Sequence, residues 1–124
     1  MDKSSRPYNL EQRTFTFASD VRTFVHALPK AFILTQDIKQ LLRSSGSVCA
    51  NYAEATEALS KKDFCHRLRI CRKESKESIV WLRLLCLPAN QELEERRKQL
   101  IDESRQLVHI FRASIETASK STHT

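Results

Sequence analysis

The stretch SKKDFCHRLRICRKESKESIVWLRLL, residues 60–85, holds neither glycine nor proline. Ser60 followed three residues later by Asp63 reads as a helix start, because a serine oxygen can accept from a first-turn N–H and an acid there suits the helix dipole. Phe64, Leu68, Cys71, Ile79, Leu82 and Leu85 recur at intervals that line one face of an α-helix, with Trp81 and Leu84 beside it. Pro88 and Asn90 mark the next break. A helix is therefore predicted over 61–87.

The same pattern extends in both directions. Upstream, Ile38, Leu41, Leu42, Ser45, Cys49, Tyr52 and Leu59 form an inward stripe, which predicts a helix over 35–59. Leu10, Phe17, Val21, Phe24, Val25 and Leu28 predict another over 10–28. It follows Pro7, opens on an Asn9/Gln12 pair that resembles a capping box, and is stopped by Pro29. Downstream, Leu93, Leu100, Leu107, Val108, Phe111 and Ile115 predict a helix over 91–119, followed by a polar tail at 120–124 that should fray. Four amphipathic helices joined by short connections imply an all-α fold, an antiparallel up-down four-helix bundle occupying residues 1–124 as a single domain. Phe15, Ile33, Val48 and Ile70 fall off the stripes and would widen the core or face another subunit.

Composition agrees. The 124 residues include one glycine and three prolines, too little turn chemistry for a β-sandwich or barrel. A G-x-G-x-x-G or G-x-x-x-x-G-K phosphate loop is impossible with one glycine, which excludes nucleotide-binding folds of those kinds. No apolar run approaches a membrane span, and the opening MDKSSRPYNL has no apolar signal segment. The expected location is cytoplasmic, so Cys49, Cys65, Cys71 and Cys86 read as reduced, buried and inert thiols. Their spacing offers no C-x-x-C pair.

The catalytic uses of helical bundles find no purchase. A carboxylate-bridged metal pair needs Glu-x-x-His on two helices. Here Glu-x-x-Glu occurs at 54/57, 74/77 and 92/95 without histidine. Arg22/His26 and Arg105/His109 lie four apart, closer than the Arg…His spacing of helical RNA-cleaving domains, and Cys65 beside His66 would not face it on a helix. The expectation is a protein that is not an enzyme, with no cofactor and no metal.

Charge is more telling. The chain carries a net +6, and Lys61, Lys62, Arg67, Arg69, Arg72, Lys73 and Lys76 stand against only Asp63 and Glu74 between residues 60 and 76. Lys62, Arg69, Arg72, Lys73 and Lys76 fall on the side away from Phe64 and Leu68, an electrostatic footprint for nucleic acid. The competing reading pairs them with Glu92, Glu94 and Glu95 at the start of the last helix. Asn51, Glu54, Glu74 and Glu77 lie near apolar stripes. If buried, the carboxylates would need Arg43, Arg67 or Lys73 as partners. Gly46, inside a helix where it costs about 1 kcal/mol relative to Ala, sits among Ser44, Ser47 and Ala50 and predicts a close approach by another helix.

Two adjoining stretches carry a resemblance. Arg43-Ser-Ser-Gly-Ser-Val-Cys-Ala-Asn-Tyr-Ala-Glu-Ala55, and Ser60-Lys-Lys-Asp-Phe64 continued by Arg67, Ile70, Lys73-Glu74, Glu77 and Trp81-Leu-Arg-Leu-Leu85, resemble the second- and third-helix signatures of bacterial four-helix-bundle proteins. Those proteins are related to ones encoded in intervening sequences of large-subunit ribosomal RNA genes. Arg13-Thr-Phe-Thr-Phe-Ala18 and Leu28-Pro-Lys30 also fit, so the likeness covers residues 8–87. It departs at Cys49, where the family usually has glycine, at Ala53, where it often has a basic residue, and at Arg67, where Lys is more usual. The resemblance implies a protomer of a ring-shaped homo-oligomer, commonly a homopentamer. Relatives associated with diversity-generating retroelements imply a nucleic-acid-binding accessory subunit of a reverse transcriptase; no catalytic residue carries over. Arg43, Gly46, Asn51, Glu54, Glu74, Glu77 and Trp81 are then expected as structural or interface residues. Lys61, Lys62, Arg69, Arg72, Lys73 and Lys76 are expected to bind RNA or DNA. The alternative is an interaction scaffold with no nucleic-acid role.

Overall fold

The computed structural model describes residues 9–33 and 35–120. They form five helices and no strand: α1 (Leu10–His26), α2 (Lys30–Ile33), α3 (Gln36–Thr56), α4 (Lys61–Leu84) and α5 (Gln91–Lys120). Each long helix begins where a short polar side chain can accept from an otherwise orphaned first-turn N–H. Asn9 Oδ1 accepts from Gln12 N at 3.2 Å, Thr35 Oγ1 from Ile38 N at 3.1 Å, Ser60 Oγ from Asp63 N at 3.0 Å and Asn90 Oδ1 from Leu93 N at 3.0 Å. The box expected at Asn9 closes on one side only, because the Gln12 amide turns forward to Thr16 Oγ1.

The helix ends correct the sequence reading. α1 stops at His26, and after Pro29 the chain makes the single turn α2, which periodicity does not register. α3 stops at Thr56, where Glu57 N and Ala58 N bond back three residues to Glu54 O and Ala55 O and tighten the last turn. Leu59, expected on the inward stripe, is consequently 100% exposed. α4 stops at Leu84 rather than 87, since the helical region is disfavoured just before Pro88. The Arg97 guanidinium donates to the freed carbonyls of Leu82 (3.2 Å) and Leu85 (2.6 Å). Pro7 and the expected fraying at 121–124 lie outside the described residues.

α1 packs on α3 and α5, and α4 packs on the same two helices. Arg43 meets Glu74, Ser44 meets Ser78 and Asn51 meets Arg67, so residue numbers rise along α3 as they fall along α4. Ser75 with Ser104 and Leu82 with Arg97 give the same relation between α4 and α5. Between these faces lie Phe17, Phe24, Leu41, Leu68, Leu82, Leu107 and Phe111, all fully buried; each contributes about 1.5–3 kcal/mol by leaving water.

Two features of the core differ from the expected stripes. Val48, placed off the stripe, is 0% exposed, whereas Cys49 and Tyr52 are only half-buried. Ser44 and Ser78 between α3 and α4, Ser75 and Ser104 between α4 and α5, and Ser45 on the α1 side of α3 are small buried polar residues of the helix seams. Their hydroxyls are all satisfied: Ser44 and Ser78 share a 2.8 Å bond, Ser104 donates to Ser75 O at 2.7 Å, Ser75 to Cys71 O at 2.9 Å and Ser45 to Leu41 O at 2.8 Å. Serine counts as polar in a hydropathy pattern, so these residues shift the true buried face away from the apolar one.

Gly46 makes room for a side chain rather than a helix backbone. No described residue has positive φ, so conformational freedom is not what this position uses. A Cβ here would stand 2.9 Å from Nη2 of Arg22 on α1. That guanidinium bridges α1 to α3, donating to Ala18 O (2.9 Å), Ser45 Oγ (3.3 Å) and Leu42 O (3.0 Å). Gly46→Ala should change the unfolding free energy by less than about 1 kcal/mol, because the gain in helix propensity offsets the disturbed Arg22 bonds. Gly46→Leu should evict Arg22 and lower the urea midpoint clearly. Equal midpoints for the two variants would contradict this packing.

Candidate nucleic-acid interface

α4 holds eight Lys/Arg against three acids, so it supplies five of the six net positive charges of the chain. Of the residues singled out from sequence, Lys61, Lys62, Arg69, Lys73 and Lys76 are exposed and Arg72 is half-buried. Ser75 faces α5, while Glu74 and Ser78 face α3. Arg72, Lys76 and Arg69 stand about 60–120° round from Ser75 on the side away from α3. They occupy the outer shoulder of the α4–α5 seam.

The acidic start of α5 does not neutralise them. Glu94 is held by Arg97 of its own helix, at 2.8 Å. Because Ser104 is the residue opposite Ser75, Glu95 lies level with the C-terminal end of α4 and Glu92 beyond it, about 12–16 Å along the axis from Lys76. Lys62, Arg69, Arg72, Lys73 and Lys76 join no ion pair among the described residues.

The sequence reading stopped at α4 and missed a contribution from α5. Lys98, Arg105 and Arg112 are exposed and carry no ion pair among the described residues. Ser104 faces α4 and Glu103 faces α1 through Arg13 (2.7 Å), so these three fall on the α5 shoulder nearest α4. Their seven-residue spacing, matched by Lys62, Arg69, Lys76 and Arg83 on α4, was a readable signal of two aligned rows.

The expected structural residues are distributed differently. Arg43 gathers two carboxylates, Glu74 at 3.2 Å and Glu77, and also bonds Gln40 at 3.2 Å. The hydrogen bond that Arg43 donates to Glu74, with the charges of Glu74 and Glu77, raises the Arg43 pKa against the opposing effect of desolvation. Arg67 serves Asn51, donating to Oδ1 at 2.9 Å, while the Asn51 amide donates to Ser47 O and Oγ. Lys73 is solvent-exposed and takes no carboxylate. Glu54 is exposed, so it has no buried charge to satisfy. Trp81 packs half-buried against the core with its Nε1 buried and without an acceptor among the described residues. Arg43→Met should cost about 1–2 kcal/mol by leaving Glu74, 7% exposed, without its cation; the figure is discounted because Arg43 itself is half exposed. Arg43→Met combined with Glu74→Met should recover most of that loss in chemical unfolding. A double variant as unstable as the sum of the two singles would contradict the pairing.

Other chemistry is sparse. Arg22/His26 and Arg105/His109 are exposed pairs that do not bond each other. Among the described residues no three His, Cys, Asp or Glu side chains cluster to hold a metal ion. Cys65 and Cys71 are buried, and burial pushes the Cys71 thiol up to about 12; it donates to Val48 O. The expectation of four buried thiols fails at Cys86, which is exposed in the connection after α4, and at half-buried Cys49. A cleft of about 370 Å³ between α1 and α5 is lined by Asp20, Arg96 and Glu103. Two of these charges are already engaged, Glu103 by Arg13 and Arg96 over the Phe24 ring at 5.9 Å. No described helix is long and apolar enough to cross a membrane.

The described residues thus form a helical fold with one strongly basic flank on α4. The chain belongs to the 23S rRNA-intervening sequence protein family, whose model matches residues 7–113. It is also similar to a crystallised protein of unknown function from the S23 ribosomal protein family of Bacteroides thetaiotaomicron VPI-5482. The two share 26% identity with a TM-score of 0.74, over 86% of this chain and 97% of the other. No curated protein matches the chain.

Proposed function

We propose that this protein is a non-enzymatic, antiparallel up-down four-helix bundle that binds RNA or DNA through the basic flank of α4, as an accessory factor. The observation that carries the reading is the uncompensated charge of that flank: Arg69, Arg72, Lys73 and Lys76 have no acidic partner among the described residues. The opposed numbering of the helix contacts supports the antiparallel arrangement. Phosphate neutralisation by such cations releases counterions and needs no base recognition. The test is a binding titration of the full chain against mixed RNA and DNA at low and at physiological ionic strength. Binding at low salt that weakens as salt rises supports the reading; no binding at low salt overturns it.

Assembly into a ring, a homopentamer in the family pattern, would repeat the basic flank and turn weak contacts into useful avidity. A surface suited to self-association exists on the α1–α3 side, where Phe15 is 61% exposed beside Ala18, Gly46, Cys49 and Ala50. That surface also favours the second reading, a protein-interaction scaffold without nucleic-acid binding. Light scattering on a sizing column tests assembly: a mass several times 14.4 kDa is expected, and a monomer at working concentration would contradict it.

A further inference from the structure

The basic flank has a period. On α4, Arg69, Lys76 and Arg83 follow one another at seven-residue intervals, as do Lys98, Arg105 and Arg112 on α5. All six are exposed. Seven residues are two helical turns, about 10.5 Å of rise. Ser104 opposite Ser75 and Arg97 opposite Leu82 fix the level of one helix against the other. By that register Arg112 stands within about two residues of the level of Arg69, Arg105 of Lys76, and Lys98 of Arg83. The cations therefore form three rungs across the α4–α5 seam, about 10.5 Å apart and about 21 Å from first to last.

The rest of the seam fits a rigid polyanion. Half-buried Arg72 lies between the first two rungs, and the floor is otherwise Ile79, Ile101 and Val108. Glu94, bound to Arg97, and Glu116, level with Lys62, stand at the two ends of these shoulders, while exposed Asp102, between the levels of Lys98 and Arg105, lies further round α5 and accepts from Gln106 at 2.9 Å. Among the described residues no exposed aromatic lies along the seam. Phe64 and Trp81 pack against the core, Phe111 is buried, and exposed Phe15 belongs to α1.

We infer that the α4–α5 seam grips double-stranded nucleic acid along its length, one row of cations to each strand's phosphates, without reading bases. The inference rests on the nucleic-acid reading above and names its substrate class. A single strand offers one row of phosphates, and its binders gain about 1–3 kcal/mol per base from aromatic stacking that this seam does not supply. A duplex offers two rows on a stiff frame, with one charge per about 1.7 Å of axis, and its affinity is carried by phosphate contacts alone.

The experiment compares, at one low ionic strength, fluorescence anisotropy of the full chain with a labelled 20-base-pair DNA duplex, the matching RNA duplex, and each single strand. Either duplex should bind at least about tenfold tighter than its separate strands. Lys98→Gln, Arg105→Gln and Arg112→Gln together should abolish that preference and reduce the salt slope for duplex by about 2.7, at unchanged helicity. Single strands bound as tightly as the duplexes would overturn the duplex inference while leaving nucleic-acid binding intact. Failure of every probe at low salt would overturn the parent reading instead. Undiminished duplex affinity in the triple variant would remove α5 from the site.

Discussion

Replacing Arg69, Arg72, Lys73 and Lys76 together by Gln should lower nucleic-acid affinity on the order of a thousandfold at 0.1 M salt, at unchanged helicity. Each phosphate contact contributes about 0.9 to the slope of log affinity against log salt, so losing four should flatten the slope by about 3.6. The fold should tolerate the change. Arg69, Lys73 and Lys76 are exposed, none of the four is in an ion pair among the described residues, and Gln is close to Lys and Arg in helix propensity. Circular dichroism and the binding isotherm should therefore separate: the first unmoved, the second nearly flat. Retained affinity with intact helicity would place the binding surface elsewhere.

Phe111→Ala should destabilise the protein by about 3–5 kcal/mol, a large part of the total for a domain of this size. Phe111 is 0% exposed, and its ring stands 6.3 Å from that of Tyr52, so it ties α5 to α3 across the core. The cost combines lost transfer energy with a cavity that long helices close only in part. Phe15→Ala removes the same side chain from a position 61% exposed and should change the stability of the unassembled chain by less than about 0.5 kcal/mol. Urea unfolding of the two variants beside the parent checks both. Similar losses would mean that Phe15 is buried against another subunit in solution, and a small loss at Phe111 would contradict the core described here.

The elements that repeat and cap were legible. Thr35, Ser60 and Asn90 hold the helix starts, because a cap is a local event involving residues three apart. What escaped depends on partners distant in sequence. Leu59 belongs to the apolar period of α3, but the chain has already turned toward the Ser60 cap, and hydropathy does not register that turn. Val48 is inward because Ser44 and Ser45 are inward too, and serines satisfied by Leu41 O and by Ser78 read as surface in a pattern of polarity. Gly46 announced a close approach, yet that the visitor is the Arg22 guanidinium emerges only from the packing of α1 on α3. At the basic flank the residues of α4 were readable as a charge run. Those of α5 are masked by composition, since its six Lys/Arg are offset by six acids; the seven-residue spacing of Lys98, Arg105 and Arg112 puts them on one face, but only the register with α4 sets that face beside the α4 row.

The salt dependence of binding by the unmodified chain tests the central claim most directly. With about five phosphates neutralised by the α4 cations alone, log affinity should fall against log salt with a slope of about −4.5, and more steeply where α5 also engages. A slope near zero, or no binding at low ionic strength, would contradict the claim that the uncompensated charge of α4 is a surface for nucleic acid.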